Sequence, residues 1–181
     1  AKHAYTHIFV QGGVGGLAAA VAGHFLDREG AARPKLIVVE PAKANCLQVS
    51  AEADRRTSIE AGDATVMAML ECYEPSLTAW DILEKSADFY LDLEDGYAVD
   101  ALQRLARPVG GDKALRIGES GVAGVAGLIA AANDQSIRQK LGLGASARVL
   151  LIGTEGATDP ELYEALLNNK PLAAASHTVL A

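Results

Sequence analysis

The sequence predicts an α/β fold in which helices cover both faces of a parallel sheet. Apolar, β-branched segments alternate with helical patterns along the 181 residues. Three of these segments are continuous apolar runs, which is typical of strands buried on both faces. A glycine cluster also joins the first run directly to an alanine-rich helical pattern. These observations predict that residues 1–181 form a single three-layer αβα domain.

The first half of the chain contains two of the apolar runs. The predicted elements are strands at 6–11 and 35–40, helices at 17–28 and 44–53, a loop at 55–63, and a segment at 64–70 that fits either a strand or a helix. Gly30 is expected to end the first helix, because glycine readily adopts the left-handed conformation found after helices. Pro41 is expected to end the second strand, since proline lacks the amide that a ladder requires.

The second half continues the alternation. The predicted elements are helices at 76–86, 96–106, 120–133, 136–141 and 159–169, and strands at 89–93 and 148–152. Ser76 is a predicted N-cap, whose side-chain oxygen accepts from free backbone amides. The 120–133 segment is rich in glycine and alanine, so we expect that helix to pack closely on its neighbour. The run at 148–152 (RVLLI) is predicted to be the third buried strand.

Composition excludes several classes of protein. The net charge is −7 with a pI near 5.1, and no basic run is present, which argues against a nucleic-acid surface. The apolar stretches are too short for a membrane span, and no signal-peptide pattern is found. Cys46 and Cys72 suggest neither a disulfide framework nor a zinc site. We therefore expect a cytoplasmic protein, and because residue 1 is not methionine we expect a piece of a longer chain.

The segment THIFVQGGVGGLAAAVAG is predicted to bind phosphate. A strand, a glycine loop and a helix follow one another, so backbone amides and the positive end of a helix dipole face one point. Gly13-x-Gly15-x-x-Ala18 fits a dinucleotide fingerprint, and Glu40 ends the next strand, where a ribose-binding acid would lie. The same physics serves any phosphorylated cofactor, so the loop alone leaves the ligand open.

Four further segments indicate which phosphorylated cofactor the loop binds. VVEPAKANC, ATVMAMLECYEPS, GESGVAG and LLIGTEGATDPELY follow the glycine loop in that order. The series resembles the C-terminal portion of the diaminopropionate ammonia-lyases, which belong with tryptophan synthase β and threonine dehydratase among the fold-type II pyridoxal-phosphate enzymes. The resemblance implies part of a large domain with pyridoxal 5'-phosphate as cofactor. It also implies a small amino-acid substrate, 2,3-diaminopropionate, converted to pyruvate and ammonia by β-elimination.

The resemblance carries specific roles to specific positions. Those matching the cofactor-phosphate loop are Gly13, Val14, Gly15 and Gly16. Glu119 matches an acid near the cofactor ring, although an acid in the first turn of the following helix would also be favoured by the helix dipole. Relatives place a hydroxyl residue beside the pyridine nitrogen. Here glycine (Gly153) occupies that position, so either Thr154 takes over the contact or the contact is lost.

The sequence also departs from the family pattern. Met69 and Tyr73 replace glycines, which would fill space near the ligand. Cys46 stands where distant relatives have a metal-binding acid, so no metal is predicted. Glu40 is expected to be a strand-end acid exposed to solvent beside Pro41. The two cysteines are expected to be small buried side chains.

The lysine that joins the cofactor in this family lies upstream of the matching region. The lysines present are Lys2, Lys35, Lys43, Lys85, Lys113, Lys140 and Lys170, and none has the family's sequence context. We therefore predict no catalytic residue in this chain and no activity from it alone. Half a pocket would also leave apolar surface uncovered, which predicts a homodimer or association with the missing N-terminal part. Two alternatives remain: an inactive homologue that binds phosphate or a partner chain, and a small NAD-binding domain.

Overall fold

The computed structural model describes residues 4–168 and 177–180. Within these residues the strands are β1 His7–Gln11, β2 Lys35–Pro41, β3 Phe89–Leu93, β4 Val149–Leu151 and β5 His177–Leu180. The α-helices are α1 Gly16–Glu29, α2 Cys46–Glu52, α3 Leu77–Ser86, α4 Asp95–Ala106, α5 Ala123–Asn133, α6 Gln135–Leu141 and α7 Pro160–Asn168. Single 3₁₀ turns are found at Gly30–Ala32, Ala42–Ala44 and Ala68–Leu70.

The strands form one sheet in the order β4-β1-β2-β3-β5. The first four are parallel: Val10 pairs with Val38, and Ile8 pairs with Leu150. This confirms the predicted parallel α/β sheet. β5, which the sequence reading did not anticipate, adds an antiparallel strand beside β3.

The sheet separates two apolar cores, because alternate residues of each strand point to opposite faces. Ile8, Val10 and Val38 face α1 and α3, where Trp80 and Leu83 pack. Phe9, Ile37 and Val39 face the side covered by α4, α5 and α7. The predicted three layers are therefore confirmed, and Trp80 is a core residue.

Strand burial differs from the prediction at two strands. β4 is only half-buried, so the prediction of a third buried strand at 148–152 was wrong in its burial. The reason is its position, since among the described residues β4 lies at the sheet edge and pairs with β1 alone. β3 was predicted from an alternating pattern, yet it is buried along its whole length because both faces are covered: Phe89 and Leu91 pack in one core and Tyr90 packs in the other.

Helix α5 packs directly on the sheet, as its glycine content predicted. A Cβ atom at Gly124 would lie 2.7 Å from the Phe9 carbonyl oxygen, and one at Gly127 would lie 2.7 Å from Val39 Cγ2. Both positions therefore need glycine for close approach. The helix begins at Ala123, three residues later than predicted, because residues 119–122 form a separate turn.

The remaining predicted boundaries mostly hold. Gly30 ends α1 with a φ of 55°, and Ser76 caps α3 by accepting from the Ala79 amide. The ambiguous segment 64–70 is neither a strand nor an α-helix, and it ends in one 3₁₀ turn. Residue 169, the predicted end of the last helix, lies outside the described residues. Among the helices described here, none is long and apolar enough to cross a membrane.

Candidate functional site

The glycine loop between β1 and α1 is a tight turn held by its own backbone. The Gly12 amide donates to the Val39 carbonyl at 2.8 Å, and the Gly15 amide donates back to the Gly12 carbonyl at 3.1 Å. Gly13 has a φ of 61° and Gly15 a φ of 96°, a region that side chains disfavour. Glycine at these two positions is therefore required by the turn itself.

The amides at the beginning of α1 have no backbone acceptor inside the described part of the chain, although the Val14 amide lies against the Cys72 thiol. Gly13, Val14 and Gly16 donate to no backbone carbonyl there. The N-cap, Gly15, offers no capping side chain, and no acidic residue stands in the first turn. Free amides and the positive end of the helix dipole therefore meet at one point, which suits a phosphate group.

The glycines of the loop face different surroundings. A Cβ atom at Gly15 would lie 3.1 Å from Ala79 Cβ and 3.0 Å from Leu83 Cδ1, so this glycine faces α3. At Gly16 a Cβ atom would meet nothing within 4 Å. Gly15 therefore serves the packing of the loop, whereas Gly16 borders open space.

A cleft of about 580 Å³ lies in front of the loop. It is found beyond the carboxyl ends of β1 and β4, where the strand order reverses direction, and ligands of open α/β sheets bind at such a point. Of the predicted site residues, the cleft is lined by Gly13, Val14, Gly16 and Thr154. Gly15 and Glu119 are not among its lining residues.

The loop after β4 contributes the hydroxyl of Thr154 to the site. Thr154 is exposed and lines the cleft, across from the glycine loop. A side chain at Gly153 would instead extend toward Ile117, whose Cδ1 would lie 2.8 Å from the added Cβ. Of these two positions, Thr154 places its hydroxyl on the cleft, while position 153 faces the neighbouring apolar wall; Ser120 and Thr158 also line the cleft.

Gln11, the last residue of β1, is a site residue that the sequence reading missed. Its side chain is 4% exposed and lines the cleft. Its Nε2 donates to the Ile152 carbonyl at 3.0 Å and to Thr154 Oγ1 at 2.7 Å. A polar residue ending an otherwise apolar buried strand was the signal that could have indicated it.

The turn at 119–122 forms the third side of the cleft and is fixed by Glu155. The Glu155 carboxylate accepts from the amides of Ser120 at 2.9 Å and Gly121 at 3.0 Å. Ser120 Oγ in turn accepts from the Met69 amide at 3.1 Å. Glu119 is 5% exposed, and burial, aided by the charges of Glu155 and Asp159, raises the pKa of its carboxyl.

Glu40 is not the solvated strand-end acid that was expected. It is fully buried, and its carboxylate accepts from the amides of Leu47 at 3.0 Å and Gln48 at 2.8 Å. Burial raises its pKa to about 8, although the two amide bonds act in the opposite direction. Because Gly12 packs over it, Glu40 supports the loop from inside the protein, and it is not available to a ribose in the cleft.

The structure also places the two cysteines and the two residues, Met69 and Tyr73, that stand where the family has glycine. Cys46 is buried, as predicted, but Cys72 is only half-buried and lines the cleft, so that prediction was wrong for Cys72. Met69 is 72% exposed at the cleft edge, and so most of its side chain lies outside. Tyr73 Oη donates to Glu71 at 2.8 Å.

No lysine is among the described residues that line the cleft. Lys35 donates to the Leu141 carbonyl, Lys43 pairs with Asp95, and Lys85 pairs with Glu84. Lys2 and Lys170 lie outside the described residues. Within the described ranges, no group of three or more histidine, cysteine or acidic side chains is arranged to hold a metal ion.

The N-terminus of α1 has no capping side chain, lies where the strand order of the parallel sheet reverses, and shares a cleft with the hydroxyl of Thr154. These features are typical of the α/β proteins that bind a phosphorylated cofactor. Residues 1–155 match the family described as pyridoxal-phosphate dependent enzyme, so the chain belongs to that family.

The relatives identify a narrower group within the family. The chain is 39% identical over 170 residues to a diaminopropionate ammonia-lyase of Salmonella typhimurium, covering 91% of this chain and 42% of the relative. It is also similar to the crystal structure of the Escherichia coli diaminopropionate ammonia-lyase in complex with an aminoacrylate–PLP azomethine reaction intermediate. That similarity has a TM-score of 0.82 and 34% identity, over 92% of this chain and 43% of the other.

The fold extends to more distant enzymes. A maize serine racemase structure is similar with a TM-score of 0.75 at 18% identity, covering 90% of this chain and 48% of that one. These structural neighbours are fold-type II enzymes, which confirms the predicted fold class. The chain spans less than half the length of each relative named here.

Proposed function

We propose that this chain is the C-terminal, cofactor-binding part of a pyridoxal-phosphate-dependent ammonia-lyase that converts 2,3-diaminopropionate to pyruvate and ammonia. One observation carries the proposal. Loop amides that have no backbone acceptor in the described residues and the exposed hydroxyl of Thr154 share one cleft, which lies where the strand order of the sheet reverses. The 39% identity to a diaminopropionate ammonia-lyase supports the substrate.

The residues present fit the cofactor. The amides of Gly13, Val14 and Gly16 would hold the phosphate, with Gly15 closing the turn behind them. Thr154 would lie beside the ring nitrogen, and Glu119 would stand in the turn near the ring. When bound, pyridoxal phosphate supplies an electron sink that stabilises negative charge at the substrate's α-carbon.

Three of the four loop positions and Thr154 line the same cleft, and this supports their assignment. Glu119 is supported less directly. Its neighbours Ser120 and Gly121 line the cleft, while its own carboxyl is buried behind them. The role as an acid next to the α5 helix is therefore the one its surroundings favour.

The covalent chemistry would come from elsewhere in the complete enzyme. Among the described residues that line the cleft there is no lysine to join the cofactor and move the substrate's proton. We propose that the part of the enzyme matched by the rest of the relatives' length supplies this lysine and the opposite wall of the pocket.

Exposed apolar side chains near the loop fit such an assembly. Val14 is 45% exposed, Met69 72% and Leu77 63%. Val14 and Met69 line the cleft, and Leu77 follows Ser76, whose amide donates to the Val14 carbonyl. Large exposed apolar side chains beside a cleft are typical of a surface that another polypeptide covers. The missing N-terminal part or a second copy would cover them.

We further propose that residues 1–181 act as one cofactor-phosphate-binding domain and that the enzyme is cytoplasmic. The two cores share one sheet, which supports a single unit. Both cysteines are free thiols, which fits a reducing compartment.

The test is phosphate-site occupancy in the 181-residue chain. Pyridoxine 5'-phosphate lacks the reactive aldehyde, so its binding needs no lysine and can be followed by ³¹P NMR. We expect saturable binding that inorganic phosphate competes away and that NAD does not. Tight NAD binding at the same site would overturn the proposal in favour of a dinucleotide domain, and absence of any binding would overturn it outright.

The inactive-homologue alternative rests on Gly153, Met69 and Tyr73, which differ from the family pattern. The surroundings of these residues do not favour it, because Met69 lies mostly outside the cleft and Tyr73 bonds to Glu71. Joining this chain to the N-terminal part of a relative would decide: ammonia release supports the lyase, and a folded but inactive assembly supports the alternative.

A further inference from the structure

The hydrogen-bond direction between Gln11 and Thr154 is fixed by a third group. The Ile152 carbonyl oxygen can only accept, so the Gln11 atom 3.0 Å from it must be the amide nitrogen. The same nitrogen lies 2.7 Å from Thr154 Oγ1. Each of its two protons therefore has one acceptor, and the Thr154 oxygen receives one of them.

This arrangement leaves the Thr154 proton free to be donated. No described residue accepts a hydrogen bond from Thr154, and its side chain is exposed on the cleft. An unprotonated ring nitrogen would accept this bond, so that the Thr154 hydroxyl would both accept one hydrogen bond and donate one. A protonated ring nitrogen would instead give Thr154 a second donor, and the threonine's own proton would remain without a protein acceptor.

A glutamine at position 11 leaves one buried polar atom unsatisfied. Its other amide atom, Oε1, is buried with no partner among the described residues. An apolar side chain of the same size would avoid that unsatisfied group. The glutamine donates two hydrogen bonds to the loop after β4, which an apolar side chain could not make.

We propose that Gln11 is a positioning residue: it turns the Thr154 hydroxyl into a hydrogen-bond donor toward the ring nitrogen of the bound cofactor and thereby favours the unprotonated ring. The proposal rests on the proposed function, because it requires a pyridine cofactor whose phosphate occupies the glycine loop. The roles differ in kind, since Thr154 touches the ring and Gln11 acts through Thr154.

The experiment uses pyridoxine 5'-phosphate labelled with ¹⁵N in the ring and bound to the 181-residue chain. The ¹⁵N chemical shift reports whether the ring nitrogen is protonated, and the ³¹P signal reports phosphate binding independently. For the wild-type chain we expect the unprotonated, hydrogen-bonded shift at pH values where the free compound is already protonated.

Two substitutions test the role of Gln11. Gln11→Met removes both donated bonds while keeping the volume, and Gln11→Glu replaces the donor with an acceptor that draws the Thr154 proton to itself. We expect the bound ring to become protonated at a higher pH in both variants, more strongly in Gln11→Glu, with phosphate affinity changed less than threefold.

Two further variants serve as references. Gln48→Met is the matched control, because Gln48 is 2% exposed, also has an unpartnered Oε1, and lies away from the cleft. It should leave the ring shift unchanged. Thr154→Val should reproduce the Gln11→Met shift, and the double variant should add nothing to it.

The outcomes separate the two claims. A protonated ring in the wild-type chain, or an unchanged ring shift in Gln11→Met with phosphate still bound, overturns the positioning role alone. Absence of any ³¹P-detected binding overturns both the positioning role and the proposed function.

Discussion

The carboxylate of Glu155 accepts a hydrogen bond of 2.9 Å from the backbone amide of Ser120, across 35 residues of sequence. The same carboxylate oxygen accepts from Gly121, and the Glu155 carbonyl accepts from the Gly118 amide at 3.0 Å. The loop after β4 and the turn before α5 are therefore joined by both side chain and backbone. Thr154, which immediately precedes Glu155, is held at the cleft by this connection.

Glu155→Ala is expected to loosen this connection. Two amides would lose a charged acceptor, which should lower the free energy of unfolding by about 1–3 kcal/mol. Urea denaturation followed by circular dichroism would measure it. Glu52→Ala, at an exposed position on α2, is the control and should change stability by less than about 0.5 kcal/mol. Equal free energies of unfolding for the two variants would show that the Glu155 contact does not stabilise the fold.

The part of the site formed by consecutive residues could be predicted from the sequence, whereas the contacts between distant segments could not. The glycine loop was predictable because a strand, its turn and a helix are consecutive, so their geometry is local. Gln11 and Thr154 are 143 residues apart, and only the parallel pairing of β1 with β4 brings them together. The edge position of β4 is likewise set by strand order, which an apolar run does not encode.

Glu40 and Cys72 illustrate the same limit. The strand-end position of Glu40 beside Pro41 predicted exposure, but the amides of α2 close over its carboxylate. Cys72 lines the cleft because the 64–76 segment crosses in front of the glycine loop, where the Ser76 amide donates to the Val14 carbonyl at 2.9 Å. Irregular segments lack a periodic pattern, so their path could not be read from the sequence.

Gly16→Val should weaken phosphate binding without unfolding the protein. The added side chain meets no protein atom within 4 Å of its Cβ, yet it would stand beside the amides that face the cleft. We expect a loss of affinity for inorganic phosphate of about tenfold or more, equivalent to ~1.4 kcal/mol. Gly23→Val on the same helix also extends into open space and is the control. Phosphate affinity equal in the two variants would contradict the assigned loop.

Gly15→Ala should act through stability instead. Its φ of 96° disfavours a side chain, and the new Cβ would lie 3.1 Å from Ala79 Cβ. Left-handed strain and overpacking together should cost about 2–4 kcal/mol. Thermal unfolding of Gly15→Ala beside Gly16→Ala would check this, and a lower melting temperature for Gly16→Ala would reverse the assignment of the two glycines.

Glu40 should make stability depend on pH. Its folded-state pKa of about 8 lies above the ordinary value of 4.5, so between these values the folded protein keeps a proton that the unfolded chain has lost. The free energy of unfolding should therefore fall as pH rises from about 5 to 8, by up to about 1.4 kcal/mol per pH unit.

Glu40→Gln removes this titration and should flatten the dependence. Because the glutamine nitrogen cannot accept from one of the two amides that Glu40 accepts from, the free energy of unfolding should also be lower at every pH, by about 1–3 kcal/mol. Urea denaturation at pH 5, 6, 7 and 8 gives the slope. Glu52→Gln should keep the wild-type slope, because Glu52 is exposed. If Glu40→Gln keeps that slope too, another buried group is responsible.

Cys72 should report occupancy of the cleft. Its thiol lines the cleft, whereas Cys46 is buried. Burial raises the pKa of Cys72, opposed in part by the Val14 amide, so alkylation should be slow at pH 7 and faster at pH 9. Mass spectrometry after N-ethylmaleimide treatment should find label on Cys72 first, and pyridoxine 5'-phosphate should slow it. Preferential labelling of Cys46 in the folded protein would contradict the cleft geometry.

The riskiest prediction concerns activity. The 181-residue chain alone should release no ammonia from 2,3-diaminopropionate, and borohydride should trap no bond between pyridoxal phosphate and one defined lysine. β-Elimination needs an amine that presents the cofactor and moves the α-proton, and no lysine lines the described cleft. It also needs an enclosed pocket, whereas this cleft is open beside the exposed Val14 and Met69. Ammonia release is measured by a coupled assay, with a full-length diaminopropionate ammonia-lyase as the positive control. Saturable turnover by the chain alone would show that one of its own lysines reaches the cofactor, and peptide mapping after borohydride reduction would identify it.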